Sequence, residues 1–248
     1  DNIIKQVSDA YRKFRNSLRF MLSNVVDFDE ANDAVTSWDD LDPIDQYMMV
    51  KTARLVDDVT AAYDEYAFNS VYRLAYDFIN DVSAVYMDVI KDRLYSEAQN
   101  SVRRRAAQTV LMNVIEVLVR ILSPILTFTT DEAWESYPAA ALAREGRPES
   151  VQLAGWPTRE DFVPALPEDA QAIADKFEKL FEVRDVVTKE LENARVAKTI
   201  NKSQEAAIAI TAPAEDFEQL KAFDQEVLTE LFIVSSVNFE QGDELAVA

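Results

Sequence analysis

From Tyr86 to Leu111 the chain reads YMDVIKDRLYSEAQNSVRRRAAQTVL, and the fold is decided there. The run begins as the end of a long helix with apolar residues at helical spacing. It passes through Lys91, Asp92, Arg93, Leu94 and Tyr95, and crosses a short polar connection. A second helix then starts on three consecutive arginines, Arg103, Arg104 and Arg105. One continuous segment therefore predicts two helices with a cationic corner between them, and the rest of the first 150 residues reads as helices packed around that hairpin.

Upstream, Ile4, Val7, Tyr11, Phe14, Leu18, Met21 and Val25 alternate spacings of three and four, which predicts a helix with one apolar stripe. Arg12, Arg15, Asn16 and Arg19 follow the same rule on a different face, with no acid among them. That face reads either as solvated surface or as an anion-binding surface. Residues 27–41 form a polar, acidic connection with Trp38 and Leu41 as anchors. Asp42 then serves as N-cap and Pro43 as first helical residue. The second helix carries Ile44, Met48, Leu55 and Val59 and ends near residues 65–67. A third starts near Phe68 and runs long, through Val71, Ala75, Phe78, Val82 and Val89. Its Tyr72, Tyr76 and Tyr86 suit either the core and its rim or stacking on bases.

Downstream of the arginines, the fourth helix spans Ser101 to Leu122 and buries Val110, Val114, Val117, Leu118 and Ile121. Pro124 stops it. Thr129 to Glu132 fit a capping box opening a fifth helix through Trp134 and Tyr137. Ser150 to Pro157, SVQLAGWP, is an extended stretch closing the bundle.

Composition narrows the chemistry. Three glycines and eight prolines in 248 residues favour long uninterrupted helices. The chain has no Cys and no His, which removes disulfides, thiolate nucleophiles, histidine acid–base catalysis and the usual zinc ligand sets. No apolar run approaches the roughly 20 residues that span a bilayer, and no secretion signal opens the chain; a cytoplasmic protein is expected. The balance of 25 basic against 45 acidic residues, a net charge of −20, opposes nucleic acid at long range. The basic residues are nevertheless collected, between Arg12 and Arg19, between Lys91 and Arg105, and between Lys189 and Lys202.

After Pro157 the composition shifts. Residues 158–167 read as a linker punctuated by prolines. From Glu168 to about Ala197 a charged amphipathic helix carries Ile173, Phe177, Leu180, Val183, Val187 and Leu191. Ala206–Thr211 reads as a strand, Phe217–Leu228 as a helix and Leu231–Phe239 as a second strand. The fold class is thus mainly α: an antiparallel helical bundle over residues 1–157, followed by a small α/β unit over 168–248. No glycine-rich phosphate loop and no paired-carboxylate motif occurs. Without those, the chemistry left is anion binding by two arginine-bearing elements, with structured RNA as the ligand class.

Five segments carry a resemblance. DAYRKFRNSLRFML (Asp9 to Leu22), YMDVIKDRLY (Tyr86 to Tyr95), SVRRRAAQTVL (Ser101 to Leu111), LVRILSPILTFTTDEAW (Leu118 to Trp134) and ESVQLAGWP (Glu149 to Pro157) resemble the C-terminal part of bacterial-type isoleucyl-tRNA synthetases. The likeness is strong over residues 1–160 and weak over 168–238. Valyl and leucyl enzymes share the helical layout; RNSLRF and KDRLY favour isoleucine. The resemblance implies a helical anticodon-binding domain and a junction domain that together grip the anticodon stem and loop of tRNA. It makes Arg12, Arg15, Asn16 and Arg19 candidates near the loop. Lys91, Arg93, Arg103 and Arg104 become candidates at the corner, and Lys198, Asn201 and Lys202 on the stem.

What the resemblance does not match is equally specific. HIGH- and KMSKS-type signatures are missing, as are the editing insertion and the cysteine-ligated zinc module that often ends bacterial members. The chain therefore reads as a fragment without cofactor or catalytic residues, acting as a monomer. The parent would join isoleucine to its tRNA using ATP with magnesium, and zinc where that module is present. The missing catalytic and editing domains of the parent are its expected partners. A helical scaffold with an acidic surface for a basic protein is the other class open at this point.

Overall fold

Ser101 starts the helix that carries the three arginines: its hydroxyl accepts the backbone N–H of Arg104 at 3.2 Å. The computed structural model describes residues 2–248, with side chains from residue 4 onward, and divides into two units at residues 168 and 169. The first contains α1 (Asn2–Asn24), α2 (Glu30–Asp33), α3 (Pro43–Asp64), α4 (Phe68–Asp81), a π-helical turn (Val82–Tyr86), α5 (Met87–Val89) and α6 (Lys91–Ser96). It continues with α7 (Val102–Leu122), α8 (Thr127–Glu135) and α9 (Ala139–Leu142).

Four long helices make the bundle, α1 and α4 running one way and α3 and α7 the other. Side chains mark both ends. Arg103 at the start of α7 reaches Asp42 at the start of α3, and the Tyr63 hydroxyl near the end of α3 donates to the Ile121 carbonyl near the end of α7. Helix α7 packs against α1, α3, α6 and α8. Residues from Arg105 to Met112 are buried without interruption, so this helix is covered on all sides rather than on one face. The opposite happens at the start of α1. Phe14, Leu18, Met21 and Val25 are buried as the periodicity predicts, but Ile4 and Val7 are exposed.

The third predicted helix is interrupted. A π-helical turn spans Val82–Tyr86, and such a turn holds an extra residue and rotates the next helical turn about the axis. It accompanies two inward side chains: Tyr86 donates to Asp45 Oδ1 at 2.6 Å, and Arg93 to Asp45 Oδ2 at 2.8 Å. Two expected caps also differ. Asp42 precedes Pro43 as expected, but its carboxylate accepts from arginines instead of from the helix start. Helix α8 begins at Thr127, ahead of the expected box. Thr130 bonds back to the Leu126 and Thr127 carbonyls, and Asp131 accepts from Ser150 and from the Val151 backbone N–H.

The stretch expected as a linker is packed onto the first unit. Phe162 is buried, Arg159 pairs with Asp57, and Asn113 and Val163 exchange hydrogen bonds at 2.7 and 3.1 Å. Proline spacing signals a break in regular structure, not a break in packing.

The second unit holds α10 (Gln171–Val196), β1 (Ala207–Ala212), α11 (Ala214–Lys221), α12 (Gln225–Phe232), β2 (Ser236–Gln241) and β3 (Ala246–Val247). Strand order is β2-β1-β3, with β1 parallel to β2 (Ala207 opposite Ser236) and antiparallel to β3. Ile208, Ile210 and Ala212 point to the buried face, and α10 buries Phe177, Leu180, Val183, Val187 and Leu191. The single helix expected over 217–228 is two, broken around Phe223, and Leu231 and Phe232 end α12 rather than open a strand.

Glycine scarcity does not prevent left-handed helix ends. Tyr66, Lys198 and Ile233 take φ of 55°, 59° and 57° just past α3, α10 and α12, the place usually given to glycine. Among the described residues, no helix is long and apolar enough to cross a membrane, and no group of His, Cys, Asp or Glu is placed to hold a metal ion.

Candidate nucleic-acid interface

The corner that the sequence marks as cationic is internally neutralised. Arg93 is 1% exposed and sits between Asp45 at 2.8 Å and Asp42 at 2.9 Å. It has no surface to offer an RNA, so its expected role at the corner does not hold. Arg103 donates to Asp42 and to Glu97, at 3.0 and 3.2 Å. Arg104 holds Asp27 bidentately at 2.9 and 3.0 Å, and also donates to the Gln99 carbonyl. Arg105, buried, pairs with Asp27 and Asp33 and donates to Gln108 at 2.8 Å. Bidentate guanidinium–carboxylate pairs of this kind are strong and directional. The hydrogen bond from Arg104 holds the Asp27 carboxyl far below the usual carboxylate range. Arg103 and Arg104 are thus structural fasteners between α7, α3 and the end of α1, and only Lys91, paired with Asp88 one turn earlier at 2.6 Å, keeps an exposed ammonium there.

Helix α1 presents the contrasting set. Arg12, Arg15, Asn16 and Arg19 are all exposed and share one side of the helix. Arg12 has 68% of its side chain exposed, and its one ion-pair partner among the described residues is Asp9, at 3.3 Å on the same helix. Asp9 lies outside the pattern read from the sequence, one turn before the basic run. Arg15 crosses to α8 and meets Glu132 at 2.9 and 3.1 Å. Arg19 has no acid within ion-pair distance among the described residues. Tyr11 and Thr129 share a hydrogen bond at 3.0 Å that also ties α1 to α8.

Two depressions flank this face. One, of about 430 Å³, runs between α1 and α8 and includes Arg15, Leu22 and Glu132. The other is shallow and has Arg12, Lys13 and Asn16 on one side and Ser83 and Met87, in and after the π turn, on the other. Of the tyrosines singled out for stacking, Tyr86 is fully buried, whereas Tyr72 is 43% exposed and stacks on Tyr76 at 5.8 Å between centroids. In the second unit, Lys198, Asn201 and Lys202 are exposed in the connection that follows α10, and the Asn201 N–H donates to Glu205.

Glu132 escapes the sequence reading because TTDE has the form of a cap. Thr129, Glu132 and Ser136 at i, i+3 and i+7 carry the signal: together they form one polar face of α8, turned toward α1.

Residues 45–210 match the family model described as the anticodon-binding domain of tRNA ligase. The isoleucine–tRNA ligase of Moorella thermoacetica is 42% identical over 250 residues, which covers all of this chain and 26% of that protein. Those of Natranaerobius thermophilus and Symbiobacterium thermophilum are 40% and 41% identical, over 98% and 99% of this chain. The chain spans about a quarter of the length of these relatives.

Proposed function

Because this chain belongs to the family of anticodon-binding domains of tRNA ligases, we propose that it grips the anticodon stem and loop of the isoleucine acceptor tRNA through the arginine face of α1. The single observation that carries the reading is the sorting of arginines. Those at the corner are held by carboxylates, while Arg12 and Arg19 stand exposed on one helix side without a tertiary acid partner among the described residues. A cation already held by a carboxylate gains little from phosphate, whereas an exposed one releases counterions from RNA when it binds.

Asn16 adds a neutral donor and acceptor between the arginines. Arg15 joins them once its exposed pair with Glu132 opens. Lys91, Lys198, Asn201 and Lys202 are secondary contacts for the stem. The net charge of −20 works against approach, but screening limits it to about 8 Å at physiological ionic strength. In this reading the parent joins isoleucine to tRNA using ATP with magnesium in the cytoplasm, its catalytic and editing domains supply the chemistry, and this part, a monomer without cofactor, supplies recognition.

Binding of the chain to isoleucine acceptor tRNA, compared with valine and leucine acceptors across a salt series, tests it. Three arginine–phosphate contacts predict a log–log slope of about −2 to −3. Arg12→Ala with Arg19→Ala is expected to flatten that slope and leave folding intact. Tighter binding of the valine or leucine acceptor would move the assignment to a valyl or leucyl parent, and equal affinity for the three would remove the isoleucine specificity. A slope near zero, or one unaffected by the double substitution, would remove α1 from the interface.

A further inference from the structure

The groove between α1 and α8 combines features that a phosphate grip alone does not use. Its exposed wall area is mostly apolar, with Leu22 and the exposed Val26 contributing, while Arg15, Arg19, Ser23, Thr129, Glu132 and Ser136 supply its polar groups. Its volume of about 430 Å³ falls within the range of small-molecule pockets.

We infer that this groove receives an unpaired base of the bound RNA, its edge read by the Glu132 carboxylate while Arg15 and Arg19 hold the adjoining phosphates. The inference rests on the RNA-binding reading and deepens it.

The apolar walls match the faces of an unstacked base, which single-stranded recognition commonly buries against side chains. The polar groups match what surrounds such a base. Arg19 is a cation without an acid partner among the described residues, in a protein otherwise strongly negative, so the rim complements a phosphate. The Arg15–Glu132 pair is exposed on both sides, 44% and 62%, and such pairs exchange partners at little cost in water. A phosphate that takes Arg15 frees both oxygens of Glu132 toward the groove.

An ionised carboxylate only accepts hydrogen bonds. The base edge that presents two adjacent donors to it is the Watson–Crick edge of guanine, N1–H beside the N2 amino group. Adenine, cytosine and uracil each place an acceptor beside their donor and meet one oxygen with repulsion. The reading therefore specifies guanine. It also accounts for an acid in an anion-binding surface: Glu132 lowers affinity for phosphate in general and returns it for one base.

The test uses an RNA stem-loop whose loop holds a single guanine, with adenine or hypoxanthine replacing it, the last lacking only the N2 amino group. Affinities are read by fluorescence anisotropy at low salt. For the unaltered chain, guanine is expected to bind about tenfold tighter than adenine, with hypoxanthine between them. Glu132→Ala is expected to bind all three alike, and to bind the adenine loop no more weakly than the unaltered chain does, since a repulsive charge is gone. Misfolding would lower every affinity instead. Ser23→Trp, placed at an exposed position, fills the groove and is expected to erase the guanine preference while binding to an RNA duplex persists. A guanine preference unchanged in either variant overturns this inference and leaves the RNA-binding reading standing. No binding of any loop by the unaltered chain overturns both.

Discussion

Arginines occur in two sets in the first unit, and their surroundings assign them opposite work. At the start of α7, Arg103, Arg104 and Arg105, with Arg93 on α6, are tied to Asp27, Asp33, Asp42, Asp45 and Glu97. On α1, Arg12 and Arg19 stand in solvent, and Arg15 shares one exposed acid. The corner looks more basic in sequence, because three arginines are consecutive, yet it is the less available of the two. Local density of positive charge measures nothing about a binding surface until the acids folded against it are known.

Substitutions sharpen this contrast. Arg93→Ala takes this cation from the Asp45 carboxylate, which is 0% exposed, and removing one partner of a buried ion pair costs about 3–5 kcal/mol. Urea denaturation should show that loss, and a change under about 1 kcal/mol would mean the pair is not buried as described. Arg104→Ala removes a bidentate charged contact and is expected to cost about 1.5–3 kcal/mol. Arg12→Ala and Arg19→Ala should stay within about 0.5 kcal/mol in the same measurement while weakening RNA binding, the reverse of the corner variants.

The pH dependence separates the two sets further. Asp27 has its folded pKa depressed, chiefly by the hydrogen bond from Arg104. Its contribution is complete above the unfolded aspartate value of about 3.9 and is lost as pH falls below that toward the folded value. Asp27→Asn should therefore flatten the stability profile below about pH 4 and leave its slope near pH 7 unchanged. An unaltered acid limb would show that Arg104 does not hold Asp27 in solution.

The smallest expected effect lies in the second unit. Lys198 occupies a left-handed position at the end of α10, with the Thr199 N–H bonded back to the Ala194 carbonyl. Lys198→Gly is expected to stabilise by at most about 1 kcal/mol, because strain relief is offset by the entropy of glycine. The same change should weaken tRNA binding only if the lost ammonium touched phosphate.

Much of the fold was legible because its signals are local. Ser101 and Pro124 bound α7 through groups within a few residues of it, and the apolar spacing of α10 names five of its six buried side chains, missing Ala174 and taking the half-buried Ile173 in its place. The break between α11 and α12, the π turn and the early start of α8 were not legible; at the π turn Tyr86 answers to Asp45, and in α8 Asp131 answers to Ser150, both distant in sequence. At the candidate site the α1 arginines were visible from one helix period, whereas Glu132, 117 residues from Arg15, was not.

Periodicity, caps and composition were enough for a helical bundle with a small α/β unit and for the exclusion of cysteine and histidine chemistry, and the resemblance of five segments pointed to the family. Which arginines are free was settled only by folding. Asp45, Asp42 and Asp27, which pair with Arg93, Arg103 and Arg104, lie 48, 61 and 77 residues away from them. Charge pairing acts over a few ångströms in space and is blind to separation along the chain, so no local pattern encodes it.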